Sequence, residues 1–226
     1  MSRLHALWRE YRGVFWFISL MMVFRSAVAD WNYVPSSSMN PTLVAGDRVV
    51  VNKMAYSLRL PFTLFELARW DTPRAGEVIT FDSPKDGVNL IKRVVAVGGD
   101  VVSMQDNQLV INGQPVPRTL LEPAHELATE AGRFNAQIWR ETVGGVAIDV
   151  ARLPLMNRNT AFAPVQVPAG KLLVLGDSRD NSNDSRFIGF IDVQRVTGKA
   201  LRVVMSHDPD ELYLPRMSRW WLPLHG

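Results

Sequence analysis

Three consecutive hydroxyls, Ser36, Ser37 and Ser38, stand between Pro35 and the run Met39-Asn40-Pro41-Thr42-Leu43. A serine hydroxyl is a poor nucleophile until a neighbour takes its proton, so the question is which base the chain offers. There is no cysteine, which removes thiol chemistry and cysteine-ligated metal. The four histidines, His5, His125, His207 and His225, fall in no metal-binding or triad spacing and read as scattered polar residues. A lysine remains. Lys92 lies in Leu90-Ile91-Lys92-Arg93-Val94-Val95, and on an alternating strand it shares a face with Leu90 and Val94. Apolar burial disfavours the ammonium and can bring a lysine from about 10.4 to roughly 7–8, the range that suits a general base. Ser38 and Lys92 are 54 positions apart, so they must meet across strands. That excludes the Ser-x-x-Lys arrangement, in which both residues share one helix turn.

A third stretch, Gly176-Asp177-Ser178-Arg179-Asp180-Asn181-Ser182-Asn183-Asp184-Ser185-Arg186, alternates acids, arginines and small polar residues. Carboxylate–guanidinium pairs at this density can fix a loop that must place one group accurately. Together the three stretches read as a Ser38 nucleophile, a Lys92 base, and a loop that holds the base in place. Each alone has an ordinary alternative: loop filler, a lysine snorkelling at a sheet edge, or a solvated polar loop.

The elements that must position these groups are mostly strands. Asp47 to Lys53, Gly76 to Phe81, Asn89 to Val97, Lys171 to Leu175 and Val196 to Met205 are β-branched or alternating runs opened by Gly or Asp turns. Val101 to Met104 and Gln108 to Ile111 form a hairpin across Gln105-Asp106-Asn107, and Asn112-Gly113 turns again into Gln114-Pro115-Val116. Many short strands and few amphipathic helices predict an all-β domain. From about 117 to 167 the periodicity weakens. Helix-prone and turn-prone pieces mix there, with Gly132, Gly144-Gly145 and Pro154 as breakers, and the segment reads as an insert or cap, with room for a small sheet of its own. Leu58 to Trp70 is apolar and aromatic and is expected in the core, the alternative being a loop that dips into lipid. The tail Trp220-Trp221 either packs or sits at a membrane interface.

The N-terminus carries Arg3, Arg9 and Arg12 before an apolar run that Arg25 ends, followed by Ala27-Val28-Ala29. This is the anatomy of an export signal. Read as a retained anchor, residues 13–29 cross the membrane with Arg25 snorkelling outward, and the basic tail 1–12 stays inside. The expected organisation is then a cytoplasmic tail (1–12), an anchor (13–29), a catalytic β domain (30–116 and 168–226) and the insert (117–167).

At 226 residues the chain can bury a substantial core. A net charge of +3 suits an anionic lipid surface and is too weak to argue for nucleic acid. No nucleic-acid-binding signature, metal-ligand spacing or cofactor motif is present, so no cofactor or metal is expected.

The three stretches, in this order, resemble those of the bacterial type I signal peptidases, membrane-bound Ser-Lys proteases. The family's first box, Pro-Ser-Gly-Ser-Met-x-Pro-Thr-Leu, is similar to Pro35 to Leu43, with Ser37 at the usual glycine. Its lysine box resembles Lys92 to Asp100, with Ala96 replacing a glycine, and its last box resembles Gly176 to Arg186, with Ser178 in place of Asn. Arg74 to Val78 is similar to a further strand box, and 117–167 lies outside the likeness. The resemblance implies a mostly β, antiparallel catalytic domain behind one transmembrane helix. It also implies that Ser38 attacks and Lys92 serves as base and then acid. Ser182 would orient the Lys92 amine, and Ser36 with the Ser38 amide would form the oxyanion hole. Asp177, Arg179, Asp184 and Arg186 would support the site, with Arg93 pairing to Asp177. Substrates would be preproteins cut after Ala-x-Ala beside the lipid bilayer. Ala27-Val28-Ala29 fits that rule, so slow self-cleavage after Ala29 is expected. The rivals are a self-cleaving Ser-Lys repressor, disfavoured by the apolar N-terminus, a peptidase dedicated to one pilus or conjugation system, and a non-enzymatic membrane-anchored β domain. If Ser37 adopts positive φ, it carries about 1–2 kcal/mol of strain.

Overall fold

A computed structural model describes the backbone of residues 2–63, 65–156 and 160–224, and side chains from Leu7 onward. The His5 side chain, Leu64 and His225 lie outside the described residues. The chain runs through α1 (Ser2–Ala27), β1 (Ala29–Tyr33), β2 (Asp47–Asn52), β3 (Ser57–Arg59), β4 (Glu66–Arg69), β5 (Val78–Asp82), β6 (Asn89–Val97), β7 (Val101–Gln105), β8 (Gln108–Ile111) and β9 (Gln114–Pro115). It continues through β10 (Arg118–Thr129), β11 (Gly132–Val143), β12 (Val146–Arg152), β13 (Phe162–Gln166), β14 (Lys171–Leu175), the single turn α2 (Ser185–Ile188), β15 (Ile191–Asp192), β16 (Val196–Asp208) and β17 (Leu214–Pro215).

The main sheet has the order β1-β2-β16-β5-β6-β14-β15, with β17 added to β16, and its pairings are antiparallel. The strand pattern explains it. β2 alternates, with Val49 and Val51 buried and Arg48 exposed. β5 and β6 lie mid-sheet with both faces covered, and Val78 to Phe81 and Lys92 to Ala96 are all buried. One face carries Met39, Leu43, Val49, Val78 and Val203, with Ile91 packed against them. The other carries Tyr56, Ile79, Phe81, Val94, Leu172 and Val174. A second sheet, β13-β7-β8-β9, closes over Val95, Val102, Met104 and Leu109. Its β7–β8 hairpin turns on Asp106 and Asn107 at φ 49° and 57°, the left-handed pair that a two-residue turn needs.

The insert is β throughout its long elements. β10, β11 and β12 form a three-stranded sheet, the small sheet for which the sequence leaves room, and the helix-prone pieces form no α-helix among the described residues. β10 concealed itself because most of its residues are exposed on both faces and its register slips at Leu120/Glu122 and Glu122/His125, which erases the period-two signal. β13 leaves the insert's sheet and pairs with β7.

The described residues of Leu58 to Trp70 do not form core. Leu60, Phe62, Phe65, Leu67 and Trp70 are exposed on the β3–β4 hairpin, and the Phe62 amide donates to Ser26 Oγ at the end of α1. The tail divides: Leu224 is buried, while Trp221 is exposed beneath the Arg202 guanidinium. α1 presents Phe15, Trp16, Phe17, Leu20 and Met22 as exposed side chains around its circumference. Among the described residues no helix is long and apolar enough to cross a membrane. The helix stops at Ala27, short of the expected boundary at residue 29, because Ala29 opens β1 opposite Asn52.

Candidate active site

The main sheet brings the three stretches together. Lys92 is central in β6, whose Arg93 pairs with Leu175 at the end of β14, and the third stretch leaves the sheet from there. The Ser178 amide donates to the Ser38 carbonyl at 3.2 Å, joining the third stretch to the first. Gly176 is required by close approach and not by its φ. A Cβ there would collide with the Ser38 carbonyl and the Ser182 hydroxyl.

Lys92 Nζ lies 2.7 Å from Ser38 Oγ and donates to the Ile91 carbonyl at 2.8 Å. Ser36 Oγ is 3.2 Å from Ser38 Oγ. Lys92 is 3% exposed, with Leu90 and Val94 on its side of the strand and Ile79 as its cross-strand partner. Burial pulls its pKa down to about 8, against the opposing pull of the Asp184, Asp177 and Glu130 carboxylates. At that value a neutral amine is accessible near neutral pH, so the amine can accept the serine proton at the observed distance.

The support is a chain of buried ion pairs. Arg93 meets Asp177 by two hydrogen bonds of 2.9 and 2.7 Å and donates to the Gly76 carbonyl at 2.8 Å. Arg186 grips Asp184 at 2.8 and 2.7 Å and reaches the Arg179 carbonyl at 2.7 Å. Burial pushes Asp184 up, but Arg186, the Gly176 amide and the Ser182 hydroxyl together hold its carboxyl below the usual range. Ser182 is thus buried against Gly176 and hydrogen-bonded to Asp184. Arg179 pairs with Glu141 of β11 at 3.3 and 2.6 Å.

Sequence reasoning missed Glu141 and Glu130. Both come from the insert, which carries no motif, and their partners are 38 and 93 positions away. Glu130 accepts from the Ser37 amide at 2.6 Å and the Ser37 hydroxyl at 2.7 Å. The strain considered for Ser37 does not arise, since its φ is not positive. Ala96, the other substituted glycine, is fully buried in the second sheet's core. Among the described residues no cluster of metal-ligating side chains is found.

The chain is similar to known proteins over most of its length. A family described as "Signal peptidase, peptidase S26" matches residues 8–205. A signal peptidase I of Pseudomonas fluorescens is 35% identical over 93% of this chain and 77% of its own length. That of Pseudomonas aeruginosa is 32% identical with the same coverage, and that of Aquifex aeolicus 29% identical over 85% of this chain and 82% of its own. A solved signal peptidase I from Enterococcus faecalis aligns at 26% identity and a TM-score of 0.35, over 57% of this chain and 97% of that one, too loosely to support more. With a family match that spans most of the chain and two relatives above 30% identity, the chain belongs to the signal peptidase family, peptidase S26.

Proposed function

We propose that this protein is a signal peptidase that removes N-terminal signal peptides from exported preproteins after small residues of the Ala-x-Ala kind, through a Ser38–Lys92 dyad. The observation that carries the reading is the 2.7 Å approach of Ser38 Oγ to a buried lysine whose pKa is drawn down to about 8. Neutral Lys92 takes the Ser38 proton as Oγ attacks the scissile carbonyl. The oxyanion is met by the Ser36 hydroxyl and the Ser38 amide. Lys92 then protonates the leaving amine, and a water attacks the acyl-Ser38 ester with Lys92 again as base. Ser182 would act on the amine through Asp184, whose carboxylate favours its charged form, while Asp177, Arg93, Arg179 and Arg186 hold the loop.

The same reading makes α1 a membrane anchor with residues 1–12 inside and the β domain outside. An apolar circumference is what lipid solvates. The uncharged stretch 13–24 covers only about 18 Å at 1.5 Å per residue, against ~30 Å of hydrocarbon. Crossing would therefore need Arg12 and Arg25 to snorkel at the two ends. Arg25 already folds back to Asp30, with its guanidinium 4.8 Å from the Trp31 ring, a grouping suited to a headgroup layer. The exposed Phe62 is tethered to Ser26 near the same end of the helix. Residues 30–116 and 168–226 then form the catalytic domain.

The test is cleavage of an Ala-x-Ala preprotein in detergent by wild type, Ser38→Ala, Lys92→Ala and Ser36→Ala. The first two variants should lose turnover, and the third should fall by about 10²–10³ in kcat. Wild-type cleavage by either dyad variant overturns the mechanism.

A further inference from the structure

Among the described residues the nucleophile loop is hydrogen-bonded to the insert at three places. Asn40 Nδ2 donates to the Ala128 carbonyl of β10 at 3.1 Å, and Thr42 Oγ1 to the Asp149 carbonyl of β12 at 3.5 Å. The third contact is the strongest by chemistry. Both polar hydrogens of Ser37 end on one carboxylate, that of Glu130 at the tip of the β10–β11 hairpin. Asn181 of the third stretch completes it, its amide reaching Ser37 Oγ at 2.7 Å and Glu130 Oε2 at 3.2 Å. Ser37 is 3% exposed, although Glu130 itself stands at the surface. The hairpin tip is fixed locally, since Thr129 Oγ1 accepts from the Ala131 amide and donates to the Gly132 carbonyl.

We propose that Glu130 is a positioning residue: the insert reaches back over the site and clamps Ser37, thereby holding Ser36 and Ser38 on either side of it in the geometry that turnover requires. The inference rests on the dyad reading above and gives the insert its role. Charge-assisted bonds from an amide and a hydroxyl to one carboxylate restrict the loop more than a solvated serine would. Where glycine would leave this backbone free, the Ser37 hydroxyl supplies a handle. Asn181 ties the handle to the stretch that surrounds Lys92.

Glu130 also acts through space. It is one of three carboxylates, with Asp184 and Asp177, that favour the Lys92 ammonium. Burial pushes Glu130 up, but the bonds from Ser37 and Asn181 together hold it below the usual carboxylate range. The clamp is therefore charged at any pH at which Lys92 titrates. The other charged groups bordering this cleft are Glu126, Arg133, Asp208, Asp210 and Arg216. Arg133 is paired with Glu126, and Arg216 bonds the Ala45 and His207 carbonyls.

The experiment compares wild type with Glu130→Ala, Glu130→Gln and Ser37→Gly in the full chain in detergent. For Glu130→Ala we expect kcat to fall by about tenfold or more with KM within threefold, as for an interaction realised in the transition state. Glu130→Gln keeps one acceptor and should recover most of that loss. Both variants should move the acidic limb of kcat/KM to lower pH, which lost packing alone would not do. In the Ser37→Gly background Glu130→Ala should cost much less. Amide exchange reads the clamp independently of turnover: residues 36–40 should exchange at least tenfold faster in Glu130→Ala, with the main sheet unchanged. Unchanged exchange in that segment, or wild-type kcat with an unmoved limb, overturns the proposal. If Ser38→Ala or Lys92→Ala cleaves while exchange responds as expected, the dyad reading fails and the clamp stands as a structural device only.

Discussion

Arg93 and Asp177 form a two-bonded ion pair in which each side chain is 1% exposed, the first one residue beyond Lys92 on β6 and the second two residues past the end of β14. The pair holds the third stretch to β6 at the level of the base. It is the link between sheet geometry and the position of the amine. The cost of desolvating such a pair is large, so its net contribution to stability is small, whereas removing one partner strands the other.

Asp177→Asn should therefore destabilise by about 3–5 kcal/mol, the range for an orphaned buried charge. Replacing Asp177 and Arg93 together by apolar residues of similar size should cost less than the single change. Denaturant unfolding of the three proteins decides this. A double variant that loses more than Asp177→Asn would mean that the side chains act separately.

The Lys92 environment predicts the pH dependence of cleavage. In the proposed mechanism the base is the neutral amine, so kcat/KM should rise with pH through a limb near 8. Asp177→Asn should move that limb lower, because one carboxylate that favours the ammonium is gone and the unpaired Arg93 adds to its repulsion. A limb near 10, or one that ignores Asp177, would mean that another group is the base.

The same lowered pKa has a stability consequence with a definite sign. In the unfolded chain the lysine titrates at its ordinary value of 10.5, and in the fold at about 8. The folded state binds its proton less tightly, which corresponds to about 3 kcal/mol against the fold. This cost is present in full below pH 8 and disappears as pH rises from about 8 to 10.5. Lys92→Met should thus be inactive yet more stable at pH 7, on the order of 5 °C in Tm or somewhat more. The gain should shrink towards pH 10.5. Equal Tm values at pH 7 would show that the folded protein solvates the ammonium.

Much of this was legible beforehand for a physical reason. β6 from Lys92 to Ala96 and β14 from Leu172 to Leu175 are buried, and short apolar runs of this length between turn residues read as strands; the bounds Asn89–Val97 and Lys171–Leu175 follow from the sequence and are those of the structure. The Ser38–Lys92 encounter was legible because Lys92 alternates with apolar residues on its strand and stands in order with the two other stretches. The insert was not. β10 is solvent-exposed on both faces and bulged, so neither burial nor register left a mark on its composition. Glu130 is one acid among several in that exposed strand pair, and only the folded hairpin puts it on Ser37. Leu58 to Trp70 misled because an exposed aromatic hairpin and a buried one have the same composition.

Self-cleavage after Ala29 is where the fold modifies what the sequence suggests. Ala27-Val28-Ala29 has the small residues the proposed specificity needs, but the segment is already committed. Ala29 is paired with Asn52, the Val28 carbonyl accepts the Lys53 amide at 2.9 Å, and Asp30 holds Arg25 at 2.7 Å. A protease must take its substrate in an accessible form, so β1 would first have to peel away from β2 along its paired residues, Ala29 to Tyr33. Peeling β1 away also disturbs the segment that leads into Ser36, so a chain presenting this site is not one that can cut. The reaction should then be intermolecular and slow. A species beginning at Asp30 should accumulate at a rate rising with the square of enzyme concentration, and Ser38→Ala should yield none unless wild type is added. Intact-mass measurement over prolonged incubation in detergent reads all of this. First-order accumulation independent of concentration would place cleavage within one chain, and no Asp30 species at any concentration would mean that the strand never leaves the sheet.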